Sequence, residues 1–134
     1  MNLMFGLADS FNGNLSLWDV SLCTDMEGMF YKASTFESDL SSWDIGAVTS
    51  TEYMFEFARA FNSDISRWNV SRLKDASFMF TGAKSFQQNL CDWGSRLNTS
   101  ALVTDAFVKS GCPNISDPNL TAVPKGPFCH VCGV

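Results

Sequence analysis

One histidine, His130, serves a chain of 134 residues, and there is neither a Gly-x-Ser-x-Gly elbow nor a phosphate-binding glycine loop. A histidine-based triad would have to form inside the cysteine-rich tail that carries His130, so the first expectation is that the chain is not an enzyme and needs no cofactor. Long apolar runs are missing too. No segment approaches the roughly 18 uninterrupted apolar residues of a spanning helix, and the N-terminus lacks the basic region and cleavage site of a signal peptide. Positive charge is scarce: nine Lys and Arg against 14 Asp and Glu leave a net charge of -5. With no basic stripe along the sequence to neutralise phosphates, nucleic acid and anionic membranes are poor partners, and cationic or neutral ones stay open. Acids recur at Asp19, Asp39, Asp44, Asp64, Glu27 and Glu52 without the loop spacing of an EF-hand or a calcium-binding nonapeptide. They read as a solvated face and not as metal ligands.

What the chain has is a period. Phe5, Phe30, Phe55 and Phe80 stand 25 residues apart, as do Phe11, Phe36, Phe61 and Phe86, and Trp18, Trp43, Trp68 and Trp93. Ala8, Ala33, Ala58 and Ala83 keep the same register. A unit so short buries its apolar side chains only against the next copy, so the spacing predicts a repeat solenoid. Each 25-residue coil is expected to hold a short parallel strand, as in Met26–Phe30, a helical or 3₁₀ turn at Ala33–Phe36 and its copies, and a returning loop. Residues 1–96 make four such coils, and 97–134 an atypical last coil with a cysteine-rich cap. The aromatic columns are expected in the core, because exact recurrence across copies marks a shared interior and not a stacking platform for sugars or bases.

Strand alternation sends Glu27, Glu52 and Ser77 outward, beside a column of Leu3, Gly28, Tyr53 and Phe78. Glu27, Glu52, Tyr53 and Phe78 are thus the candidate contact face for protein or glycan. Met1 stands 25 residues before Met26, inside the register, which fits a piece of a longer array. Without a polar cap ahead of it, the first coil is expected to be sticky and to pair with another copy.

Four of five cysteines, Cys91, Cys112, Cys129 and Cys132, gather at the C-terminal end. Two disulfides stapling the cap are expected, with Cys91 to Cys112 the favoured pairing among three. A four-thiolate zinc site is the rival reading, weakened by the lack of a second close Cys pair. Cys23 occupies a slot that is Val48 and Leu73 in later copies, and should be a buried free thiol. Five acceptor sequons, at Asn14, Asn69, Asn98, Asn114 and Asn119, suggest N-glycosylation on a secretory route. Asn14 and Asn69 also sit where other copies carry Asp, so the sequon has a plain repeat origin as well.

The unit Met-Phe-x-x-Ala-x-x-Phe-x-x-Asp-Leu-Ser-x-Trp-Asp-Val-Ser resembles the 25-residue repeat of the BspA-like leucine-rich-repeat surface proteins, a domain first catalogued as being of unknown function in mycoplasma lipoproteins. Residues 1 to about 107 carry it. The Cys-Pro to Cys-x-x-Cys tail is similar to segments that follow such repeats in secreted proteins of microbial eukaryotes. The resemblance implies a leucine-rich-repeat-like solenoid in an extracellular or cell-surface module for adhesion or matrix contact, without catalysis. A structural protein whose coils stack into filaments is the competing class.

Overall fold

The computed structural model describes residues 1–133. Copies follow one another in register, but the strand-plus-helical-turn coil of a leucine-rich-repeat-like solenoid does not form. The one helical element among the described residues is a five-residue 3₁₀ helix, Cys91–Ser95, and strand-type pairing between copies is limited to isolated parallel bridges, Asp25 to Ser50, Ser50 to Asp75 and Asp75 to Leu102.

The segment expected as a strand is a run of tight turns. In the second copy the amides of Met29, Tyr31, Ala33 and Phe36 donate to the carbonyls three residues earlier, Met26, Gly28, Phe30 and Ala33. The third residues of two of these turns have positive φ, 59° at Gly28 and 58° at Lys32, as a type II turn demands. Tyr53 and Phe57, then Phe78 and Gly82, repeat both positions, so four bulky or charged side chains sit where L-residues are disfavoured by about 1 to 2 kcal/mol each. The apolar corners of the turns, Met26, Met29, Phe30, Ala33 and Phe36, face inward and are fully buried.

Most of the remaining amides join the copies, Glu27 and Glu52 excepted, whose amides bond the side chains of Asp25 and Ser50. Met26, Gly28, Phe30 and Lys32 donate to the carbonyls of Ser50, Glu52, Met54 and Glu56, 24 residues on, at 2.8 to 3.0 Å, and Thr51, Tyr53, Phe55 and Phe57 do the same one copy later. Amides therefore alternate between closing a turn and reaching the next copy. That accounting satisfies the backbone without a continuous strand, and it explains how the left-handed residues are tolerated.

Two columns of phenyl rings fill the interior. Phe30 stacks on Phe36 at 4.1 Å within its copy, and on Phe55 at 5.5 Å in the next; Phe55 on Phe80 and Phe80 on Phe107 continue the column at 5.7 and 5.5 Å. Phe36, Phe61 and Phe86 form the second column, 6.1 and 5.9 Å apart. Each buried indole anchors itself one copy back: Trp43, Trp68 and Trp93 donate through Nε1 to the carbonyls of Leu15, Leu40 and Ile65 at 2.9 to 3.1 Å. Trp18 is the exception. It is 41% exposed and has no such acceptor among the described residues, and Phe5 and Phe11 are only partly buried, so the first members of all three columns are not full core residues.

Thr51, which replaces Met in its column, is fully buried with its hydroxyl directed at Met79 Sδ, 3.2 Å away. Cys23 is free but half-buried, because it too belongs to the first copy and is covered from one side. At the other end the tail folds back on the fourth copy. Phe128, 1% exposed, receives the amide of Leu90 on its carbonyl, and His130 Nε2 lies 2.8 Å from the Gln87 carbonyl.

The disulfides are Cys91 to Cys132 and Cys112 to Cys129, not Cys91 to Cys112. Cys112 is held over Phe86, with its sulfur 3.6 Å from the Phe86 carbonyl oxygen, while the return of the chain through Phe128 brings Cys129 to it and carries Cys132 on to Cys91. With all four thiols oxidised, the zinc reading is gone. No group of three or more His, Cys, Asp or Glu among the described residues is placed to hold a metal.

Candidate functional site

Because turn corners point inward, the middle residues of each turn point outward and line up copy over copy. Tyr53 and Phe78 are half-exposed, with rings stacked at 5.1 Å and 11° between planes. Gly28 occupies the same column one copy earlier, where the Leu3 side chain fills the space a Cβ would take. The result is an open groove of about 210 Å³ lined by Leu3, Glu27, Gly28, Tyr31, Tyr53 and Glu56. Interaction of the Tyr53 hydroxyl with Glu52 raises the phenol above its usual pKa, and partial burial and the charges of Glu52, Glu56 and Asp75 act in the same sense. Burial raises the Glu56 carboxyl, opposed by Lys32. Lys32 lies over the Tyr31 ring, 5.1 Å from its centroid.

Glu27, Glu52, Tyr53 and Phe78 thus share one lateral face, though not by strand alternation. Ser77, expected outward with the two glutamates, is buried at 5% exposure, its amide bonded to Asp75 Oδ1 at 2.9 Å. Sequence reasoning missed Tyr31, Lys32 and Glu56 as members of this face. The glycines at 28 and 82 are the signal that would have found them: a glycine in a column otherwise held by Tyr53 and Phe78, or by Lys32 and Phe57, marks a left-handed position at a turn.

Two further grooves lie beside it. One, about 440 Å³, is lined by Leu7, Asp9, Lys32, Ser34, Phe57 and Arg59. The other, about 530 Å³, is acidic and hydroxyl-rich, with Asp39 Oδ1 accepting from the Ser41 amide at 2.8 Å and from the Ser63 hydroxyl at 3.1 Å. Side-chain and backbone bonds from Ser41 hold the Asp39 carboxyl below its usual range, and Ser21 and Ser66 do the same for Asp19 and Asp64.

All five sequon asparagines make one local structure. Asn14, Asn69, Asn98, Asn114 and Asn119 each accept the amide two residues on through Oδ1, at 2.9 to 3.1 Å. Asp19, Asp39, Asp44 and Asp64 make the same Asx turn, which uses one oxygen and so is indifferent to Asp or Asn.

Residues 1–107 match the family described as Mycoplasma protein of unknown function, DUF285. The chain belongs to that family. The match covers the stacked copies as far as Phe107, the last ring of the first phenyl column, and stops before the disulfide-bonded tail, so in this DUF285 chain the Cys112 to Cys129 loop lies outside the family region. No curated protein and no solved structure matches the chain.

Proposed function

We propose that this DUF285 chain is a non-catalytic interaction module of a secreted or cell-surface protein, and that it contacts protein or glycan through the face of Glu27, Glu52, Tyr53 and Phe78. The observation that carries the reading is the stacked, half-exposed Tyr53 and Phe78 pair flanked by carboxylates. Aromatic rings held open to solvent beside hydrogen-bond acceptors offer apolar area at low entropic cost and a polar rim for orientation. Two disulfides at one end fit an oxidising compartment, and the five Asx-turn sequons are available to glycosylation there. Kinship with the BspA-like leucine-rich-repeat surface proteins is proposed on the repeat motif, as a kinship of role and not of coil structure. The chain has no helix long and apolar enough to cross a membrane among its described residues.

The test is a panel of neutral glycans and matrix proteins presented to the parent chain and to Tyr53→Ala/Phe78→Ala. Binding lost in the double variant, with an unchanged melting curve, supports the reading; a ligand held equally by both removes it.

Self-assembly into filaments is the second reading, favoured by one observation. Met4 and Trp18 are 49 and 41% exposed, whereas their equivalents Met29 and Met54, and Trp43 and Trp68, are at 4% or below. A second copy seated on this surface would bury them. Sedimentation of the parent against Met4→Ser/Trp18→Ser decides it: larger species lost in the variant support assembly, and monomers in both exclude it.

A further inference from the structure

We propose that the groove of Leu7, Asp9, Lys32, Ser34, Phe57 and Arg59 is the start of a cation ladder that holds an acidic polysaccharide, a linear chain of sugars bearing carboxylate or sulfate. The proposal rests on a different groove from the Tyr53 and Phe78 pair and stands independently of it.

No basic stripe is visible along the sequence, but folding assembles one. Lys32 and Arg59 come from successive copies and line the same groove. The Ser85 amide donates to the Arg59 carbonyl at 3.1 Å, which seats Lys84 in the position next above Arg59. The Gly82 amide donates to the Val108 carbonyl at 2.9 Å, which brings Lys109 into the column of Lys32, Phe57 and Gly82; all four share a left-handed backbone. Four cations therefore follow one edge through four successive copies. At the roughly 4.8 Å rise of hydrogen-bonded neighbours, the ladder runs on the order of 15 Å, a length suited to a linear polyanion and not to a single small ion.

These cations reach solvent, Lys32 while resting over the Tyr31 ring. Lys32, Arg59, Lys84 and Lys109 are exposed, and none donates a side-chain hydrogen bond to another described residue. Arg96 and Lys125, by contrast, are committed to the carbonyls of Ser66 and Leu97. Asp9 is the acid within the groove, and its carboxylate accepts the Ser34 hydroxyl. Glu56 faces Lys32 from the adjoining side. The half-exposed Phe57 ring supplies an apolar surface for the C–H face of a sugar.

Two other polyanions fit less well. An acidic peptide docking by strand addition needs free amides, and those of the column are used: Leu7, Lys32 and Phe57 donate to the carbonyls of Tyr31, Glu56 and Thr81 at 2.7 to 2.8 Å. A nucleic acid needs ring faces on which successive bases stack as well as cations for its phosphates, and Phe57 is the single aromatic side chain lining the groove.

The experiment is titration of the full chain with dextran sulfate, polygalacturonate, neutral dextran and polyglutamate at low and moderate salt. Binding of either acidic polysaccharide without neutral dextran is expected, and which one binds distinguishes sulfate from carboxylate recognition. Lys32→Ala/Arg59→Ala should weaken it about tenfold or more, and lower the slope of log affinity on log salt by about two, one for each ion pair lost. Arg72→Ala/Lys74→Ala, a charge loss off the ladder, should leave affinity and slope unchanged. Equal binding by Lys32→Ala/Arg59→Ala and parent, no binding of either polysaccharide at low salt, or tighter binding of polyglutamate than of both would overturn the proposal. Matched melting curves for all variants establish that folding is not being read.

Discussion

Trp68 offers the sharpest quantitative check on how the copies hold together. Its ring is 1% exposed, lies 6.4 Å from Phe55 centroid to centroid, and donates through Nε1 to the Leu40 carbonyl at 3.0 Å. Trp68→Ala removes a large interior side chain between two occupied copies, at a cost of about 3 to 5 kcal/mol. It also strands a buried carbonyl, which adds about 1 kcal/mol or more. The expected loss is about 4 to 6 kcal/mol, much of the 5 to 15 kcal/mol that holds an ordinary domain. Trp68→Phe, which keeps a ring but no donor, should fall between the parent and the alanine variant. Trp18→Ala is the internal control. That indole is 41% exposed and makes no equivalent bond, so about 1 to 2 kcal/mol is expected from its smaller buried area. Urea unfolding followed by tryptophan fluorescence measures all three. Equal losses at Trp18 and Trp68 would refute the argument, because the two positions share a repeat slot and differ only in being covered from both sides.

Gly82→Ala should destabilise by about 1 to 2 kcal/mol, since φ is 71° and the added methyl runs into the Phe57 ring, whereas Leu7→Gly, at an exposed left-handed position, should be neutral or mildly stabilising; thermal melts separate them. Peptide mapping without reduction should recover Cys91 with Cys132 and Cys112 with Cys129, and reducing either bond should cost about 3 to 4 kcal/mol by the chain-entropy relation for loops of 41 and 17 residues. Asp39 and Asp64 have folded-state pKa values below their unfolded ones, so their contribution is present above about pH 4, the unfolded value, and is lost as pH falls through the folded values. Asp39→Asn/Asp64→Asn should keep the Asx turns, as Asn14 and Asn69 already do, and flatten the acid limb of a stability-against-pH curve.

The interior was legible in the sequence because uninterrupted 25-residue spacing leaves the columns of Phe30, Phe36 and Trp43 only one way to align. The backbone was not. Apolar residues at Met26, Met29 and Phe30 with polar ones between them read as a strand, yet they are successive corners of tight turns, and the left-handed Lys32, Tyr53, Phe57 and Phe78 carry no propensity signal. Gly28 and Gly82 held the only hint. Glu27, Glu52, Tyr53 and Phe78 lie on one side as turn centres and not as the outer face of a strand, since both arrangements expose alternate side chains. The Lys32 and Arg59 groove stayed hidden because 32 and 59 belong to different repeat slots, and only the stack makes them neighbours. Cysteine connectivity is not encoded in spacing, and the pairing depended on how the tail returns over Phe86 and Leu90.

The account depends on one structural claim, that turn-built copies are joined by alternate amides in a 25-residue register and thereby align the outward columns. Amide hydrogen exchange followed by NMR tests it directly. Protection should recur at Gly28, Phe30 and Lys32 and again at Tyr53, Phe55 and Phe57, whose amides reach the next copy at 2.8 to 3.1 Å, while Glu27 and Glu52, whose amides are bonded only to side-chain oxygens, exchange faster. Protection of Glu27 and Glu52 equal to that of Gly28 and Tyr53, uninterrupted from Met26 to Phe30 as in a true strand, or fast exchange at Gly28, Phe30 and Lys32, would contradict it.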